Sequence, residues 1–145
     1  MKVEIKIEKD CVEPKIIVVT DKMTEELSNA VKYITQSSAQ VIIGYKDNTA
    51  EILDRSDIVR IYSANKHVYA VKGNTEYRLG LALYKLEEML DGNFVRISNS
   101  EIVNLKHVKK LGLSLAGTIC ISLSNKDVTY ASRRYISKIK QILGI

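Results

Sequence analysis

From Val41 onward the chain is cut into short apolar runs separated by turn residues, and this punctuation constrains the fold more than any other feature. Strands are predicted at 41–45, 50–53, 57–62, 68–72 and 75–79, with Lys46-Asp47-Asn48 and Gly73-Asn74 as turns. Val68–Lys72, Gly73-Asn74 and Thr75–Leu79 together have the pattern of a β-hairpin. Phe94–Ile97 reads as extended. Ser98-Asn99-Ser100 breaks that run and could start a turn or a short helix over 101–104. Leu105–Ser114, Thr118–Ser122 and Asp127–Ala131 are further strand candidates, with turns at Ala116-Gly117 and Ser124-Asn125-Lys126. Leu81, Leu83, Leu86 and Leu90 share one helical face. Tyr135, Ile136, Ile139 and Ile142 share another, over about 133–143. Many short strands with two or three short helices predict a mainly β architecture, α+β overall.

Residues 1–38 read differently. Val3, Ile5 and Ile7 alternate with Lys2, Glu4, Lys6 and Glu8, the period of a half-buried strand. Lys15–Thr20 suits a second strand, and Thr20 or Asp21 could cap a helix carrying Met23, Leu27, Ala30, Val31 and Ile34. The expectation is a small β-β-α segment at 1–38 followed by the main domain at 39–145. No run of apolar residues is long enough to span a membrane, and the N-terminus lacks the apolar core of a signal peptide, so a cytoplasmic protein is expected.

Catalytic and metal chemistry find no foothold. There is no Gly-rich phosphate loop and no nucleophile elbow, so no enzyme, cofactor or small-molecule substrate is expected. Cys11, Cys120, His67 and His107 sit in no metal-ligand spacing, and the two cysteines read as reduced thiols.

Charge is unevenly distributed. Residues 96–145 hold nine basic side chains against Glu101 and Asp127, a net of +7, while residues 1–95 carry 13 basic and 15 acidic, a net of −2. A basic C-terminal part is either a footprint for a polyanion or a solvated surface. Within it, Arg133-Arg134 opens the last predicted helix, where the positive end of the macrodipole disfavours cations, so the pair costs stability unless a partner compensates. Ser98-Asn99-Ser100 suits a cap or Asx turn, and equally suits phosphate and base-edge contacts. His67, in the segment Ser63–His67 between two strands, is an ordinary loop histidine or a side chain offered to a partner. His107 reads as structural or solvent-facing. RNA binding is disfavoured by the single Phe and absent Trp, because single strands are usually gripped by stacking aromatics. A protein-interaction module remains the reading of a different class.

The segment Asn93-Phe94-Val95-Arg96-Ile97-Ser98-Asn99-Ser100-Glu101-Ile102-Val103-Asn104-Leu105-Lys106-His107-Val108 resembles the LytTR DNA-binding domain of bacterial regulators. Leu123–Lys126, Tyr130–Tyr135, Asp57–Tyr62 and the leucines of 83–90 extend the resemblance over roughly 40–145. It implies an elongated, mostly β fold that binds duplex DNA through loops entering successive major grooves. It places base contacts at His67, with Lys66 as the alternative, at Asn99 and at Arg134. Ser98, Ser100, Ser132 and Arg133 beside them become backbone contacts. It further implies two copies per operator and, for stand-alone members, control by a membrane-embedded inhibitor. Many relatives carry an N-terminal receiver, but residues 1–38 are too short for one, so no phosphoacceptor aspartate is assumed.

Overall fold

The computed structural model describes residues 1–39, 41–90, 92–113 and 117–145. It divides into two units, Met1–Thr35 and Gln36–Ile145.

In the first unit, residues 1–24 form neither helix nor strand, so the two strands expected there are corrected. Their alternating pattern has no sheet to pair with, and Val3, Ile5, Ile7, Ile16 and Val19 are exposed. The expected helix does form, as α1 (Glu25–Ala39). Its cap is Thr24 rather than Thr20 or Asp21: the Leu27 amide donates to Thr24 Oγ1 at 3.2 Å.

The second unit begins with β1 (Ile42–Lys46), β2 (Thr49–Leu53), β3 (Ile58–Ala64), β4 (His67–Lys72), β5 (Thr75–Leu79) and α2 (Leu83–Met89). It continues with β6 (Phe94–Ser98), β7 (Glu101–Asn104), β8 (Val108–Leu113), β9 (Ile119–Leu123), β10 (Val128–Ala131) and α3 (Arg133–Leu143). One antiparallel sheet has the order β2-β1-β5-β4-β3-β7-β6, and a second has the order β10-β9-β8. The mainly β, α+β expectation therefore holds.

Period-two alternation explains how these strands build two cores. Along β3 a bulge between Ile58 and Arg60 interrupts the alternation, so that Ile58 and Ile61 both join Leu83, Leu86 and Leu90 of the α2 region on one face of the large sheet. Val59 of β3, with Val95, Ile97 and Val103, joins Ile119, Ile121 and Leu123 of the small sheet and Ile139 of α3 on the other. The central strands are thus covered on both faces. In β7 all four residues, Glu101, Ile102, Val103 and Asn104, are buried. That double burial removes the alternation a half-buried strand would show, so 101–104 is a strand where a turn or short helix had been expected. Leu105–His107 is a 3₁₀ turn rather than the start of a strand, capped by Asn104 Oδ1 accepting from the Lys106 amide at 3.0 Å. Ser114 and Ala116, read as a strand end and a turn, lie outside the described residues.

Two polar clusters join the layers. Arg60 donates to Glu101 Oε1 at 3.0 Å and to Asp127 Oδ2 at 3.2 Å, linking the large sheet to the turn before β10. Asn104 Nδ2 donates to the Ile58 carbonyl at 2.9 Å in the interior.

Candidate nucleic-acid interface

The proposed contact residues lie at one end of the large sheet, and the strand directions explain why. β3 ends in a two-residue turn, Asn65-Lys66, with φ of 52° and 66°. Positive φ at both positions matches the right-handed twist of the flanking strands. His67 is the first residue of β4, paired with Ala64, so it leaves the turn rather than lying within a loop. It is exposed, with its ring 6.4 Å from that of Tyr69. Lys66 is exposed at the tip.

β7 runs antiparallel to β3, with Glu101 opposite Tyr62, so the β6–β7 turn falls at the same end. The Ser63 amide donates to the Ser100 carbonyl at 2.8 Å and ties the two turns together. The turn is ordered by its own hydroxyls, since the Ser100 amide donates to Ser98 Oγ at 3.2 Å. Arg96 clamps it: Nε donates to the Ser98 carbonyl at 2.7 Å, Nη2 to the Asn99 carbonyl at 2.5 Å and Nη1 to Glu87 at 2.7 Å. Asn99 itself is exposed.

The first turn of α3 arrives beside the same strand end, because the Ser132 amide donates to the Ile97 carbonyl at 2.9 Å. Tyr135 then donates its hydroxyl to Asn99 Oδ1 at 3.0 Å. Ser132 stands at the N-cap, but its side chain makes no capping bond, so the positive helix terminus is not met by its own cap. Arg133 and Arg134 are exposed, and the Arg134 guanidinium lies 5.8 Å from the Tyr135 ring centre. Ser98, Asn99, Ser100, Ser132, Arg133 and Arg134 therefore converge, with Lys66 and His67 on the neighbouring hairpin. In order across the sheet, Asn99 lies between His67 and Arg134.

The electrostatics are more one-sided than the sequence count suggests. Both acidic residues of 96–145, Glu101 and Asp127, are occupied by Arg60 from the other half of the chain. Arg96, in turn, is largely buried and held by Glu87, so it belongs to the scaffold rather than to the basic surface. His107 is also scaffold, with Nδ1 2.7 Å from Ser124 Oγ and Nε2 2.7 Å from the Ser56 carbonyl.

Sequence reasoning missed two residues that shape the site. Tyr135 had been assigned to the apolar face of the last helix, yet its hydroxyl orients Asn99. Arg96 had been counted only as a basic residue. Its spacing, two and three residues before the carbonyls it holds, was the available signal. Among the described residues no group of His, Cys, Asp and Glu is arranged to hold a metal. No described helix is long and apolar enough to cross a membrane.

The model of the LytTr DNA-binding domain family matches residues 48–144. Uncharacterized HTH-type transcriptional regulators of Staphylococcus aureus strains NCTC 8325 / PS 47 and COL are each 34% identical over 146 residues, covering 100% of this chain and 99% of theirs. The described helices here are separated from one another by strands, so they hold no helix-turn-helix pair. In fold, the chain is similar to the solved LytTr DNA-binding domain of a Bacillus cereus protein described as a methyl-accepting/DNA response regulator. The TM-score is 0.69 at 22% identity, covering 72% of this chain and 97% of that one. The family is one of DNA-binding domains, not a class of enzymes. With a family match over most of its length and full-length relatives of this similarity, the chain belongs to the LytTr DNA-binding domain family.

Proposed function

We propose that the protein is a sequence-specific transcriptional regulator that reads duplex DNA with turns and a helix start, inserting them into successive major grooves. The observation that carries this is the convergence of the Ser98–Ser100 turn with the Arg133-Arg134 helix start, beside the Asn65-Lys66 hairpin. Two arginines at a helix N-terminus are unfavourable alone and favourable once a phosphate sits there. In this reading His67, Asn99 and Arg134 contact bases, with Lys66 as the alternative reader on the hairpin. Ser98, Ser100, Ser132 and Arg133 contact the backbone. Arg134 suits a guanine edge, because its planar fork meets O6 and N7 together. Residues 39–145 act as the DNA-binding domain and residues 1–38 as a separate segment. Two copies occupy an operator, and a membrane-embedded inhibitor is a candidate regulatory partner.

The test starts by selecting bound duplexes from a random pool and then measures binding at several salt concentrations. If about five phosphates are neutralised, the log–log slope is near −4 to −5. On the first turn of α3, adjacent side chains point about 100° apart, so Arg133 and Arg134 cannot both face one base edge. Arg134→Ala should cost about 1–3 kcal/mol on the selected site and much less on scrambled DNA. Arg133→Ala should weaken both alike and make the slope about 0.9 shallower. Salt-independent binding would refute the DNA reading. Equal losses for Arg134→Ala on both duplexes would make Arg134 a phosphate contact.

A further inference from the structure

The apolar surface of residues 1–20 finds no cover within its own unit. Val3, Ile5 and Ile7 are 77%, 85% and 90% exposed, and Ile16, Ile17 and Val19 are exposed as well. A chain of this size seldom leaves so many large apolar side chains of one segment in water without a binding role. Lys2 Nζ lies 3.3 Å from Glu4 Oε1 and Lys6 Nζ 2.8 Å from Glu8 Oε1, so each pair two residues apart shares a side. Drawn out as a strand, the segment would carry its four charges on one face and Val3, Ile5 and Ile7 on the other.

The order of the charges says what such a strand fits. Positions 2, 4, 6 and 8 are Lys, Glu, Lys and Glu. Place a second copy antiparallel about a two-fold axis at Ile5. Lys2 then faces Glu8, Glu4 faces Lys6, Val3 faces Ile7 and Ile5 faces itself, so every directly opposed pair is complementary. Moving the axis one residue, to Glu4 or Lys6, sets Lys2 against Lys6 or Glu4 against Glu8. A parallel, in-register pair sets every charge against its own kind. The antiparallel register about Ile5 is thus the one that opposes the whole of 2–8 to itself with complementary charges; a parallel pair staggered by two residues also matches charges, but it overlaps less and does not close. The segment 2–8 is also neutral overall, so two copies approach without net repulsion.

We propose that residues 2–8 form the central strand pair of a homodimer, antiparallel and two-fold symmetric about Ile5. An isolated two-stranded ribbon is marginal in water. The run Ile16–Val19 follows a turn closed by the Cys11 amide on the Glu8 carbonyl at 3.2 Å, and supplies the second apolar layer. An isologous pairing of this kind is self-limiting, because the same patch is used on both subunits.

The inference is independent of the DNA reading and is tested without DNA, on the full chain, by sedimentation equilibrium. The unaltered protein should be a dimer at micromolar concentration. The double reversals Lys2→Glu with Lys6→Glu, and Glu4→Lys with Glu8→Lys, should each raise the dimer dissociation constant on the order of 10–100-fold. Mixing the two variants should restore a heterodimer, which also shows that both remain folded. Direction is read by oxidative crosslinking in a Cys11→Ser, Cys120→Ser background. Ile5→Cys should link to its own copy. Val3→Cys should not, since about 13 Å would separate the two positions, beyond the ~7 Å that a disulfide spans. A monomer at all accessible concentrations, or a dimer indifferent to both reversals, overturns the proposal. Equal crosslinking by the two cysteine variants overturns the antiparallel register.

Discussion

Arg96 offers a test of whether a basic residue in this region anchors DNA or builds the site that does. Its side chain is 14% exposed and makes three charge-assisted bonds, two of them to the carbonyls of the Ser98-Asn99 turn. Arg96→Met keeps most of the stem and removes all three. Hydrogen bonds to a charged group are worth about 1.5–3 kcal/mol each. The third bond ends on Glu87, 40% exposed, so solvent screening leaves it little net value. Allowing for partial rescue of the carbonyls by water, the loss is about 2–3 kcal/mol. For a unit of this size, about 4 °C per kcal/mol gives a fall in Tm near 10 °C. Thermal unfolding followed by circular dichroism measures it. Binding to the selected duplex should weaken because Asn99 and Ser100 lose their clamp, while the salt slope stays unchanged. Arg96→Lys should fall between the two, since an ammonium cannot reach all three acceptors. An unchanged Tm together with a slope shallower by about 0.9 would mean that Arg96 touches phosphate. The scaffold argument would then be wrong.

Three further outcomes are expected. Gly44→Ala places a Cβ 2.7 Å from Tyr77 Cβ and 2.8 Å from Leu53 Cδ1. Overpacking of this kind should cost about 1–3 kcal/mol in chemical denaturation, and a neutral result would mean that β1 shifts freely. Burial, followed by its hydrogen bond to Glu76, pushes the Tyr62 hydroxyl up to about 12. Because the folded value lies above the ordinary one near 10, its stabilisation is fully present below about pH 10 and is lost as pH rises through 12. An ultraviolet titration should show a late-ionising tyrosine that Tyr62→Phe abolishes; a titration unchanged by that substitution would refute the assignment. Finally, the chain lacking residues 1–24 should keep the cooperative unfolding of the main unit, and loss of that transition would make the segment part of its core.

How legible the protein was in its sequence depended on burial. The hairpin from Val68 to Leu79 was readable because its turn residues and alternation agree, and α3 because its apolar face repeats over three turns. The strand Glu101–Asn104 was not, because burial on both sides erases period two. The strands expected at 2–8 and 15–20 failed for the opposite reason, a clean pattern without a neighbour to pair with. At the candidate site, the proposal of Arg133, Arg134 and the Ser98–Ser100 turn came from local chemistry and family likeness, and the structure adds that these segments lie at one end of the sheet. That Tyr135 bonds Asn99 was not legible, since residues 36 apart in the chain meet only through the fold.

The order of the strands also bears on how the molecule assembles. Among the described residues, six of the eight strand pairings join neighbours in the chain; the others are β1 with β5 and β3 with β7. Each local hairpin closes a short loop at little entropic expense and can form early. The β3–β7 pairing has to wait, because Ile61 and Ile102 are 41 residues apart in sequence, yet it is the step that creates a strand buried on both sides. The docking of the β6–β7 hairpin onto β3 is therefore the step expected to be slow. Substitutions at Ile102 or Val103 should slow folding, whereas those in the β1–β2 hairpin should mainly speed unfolding.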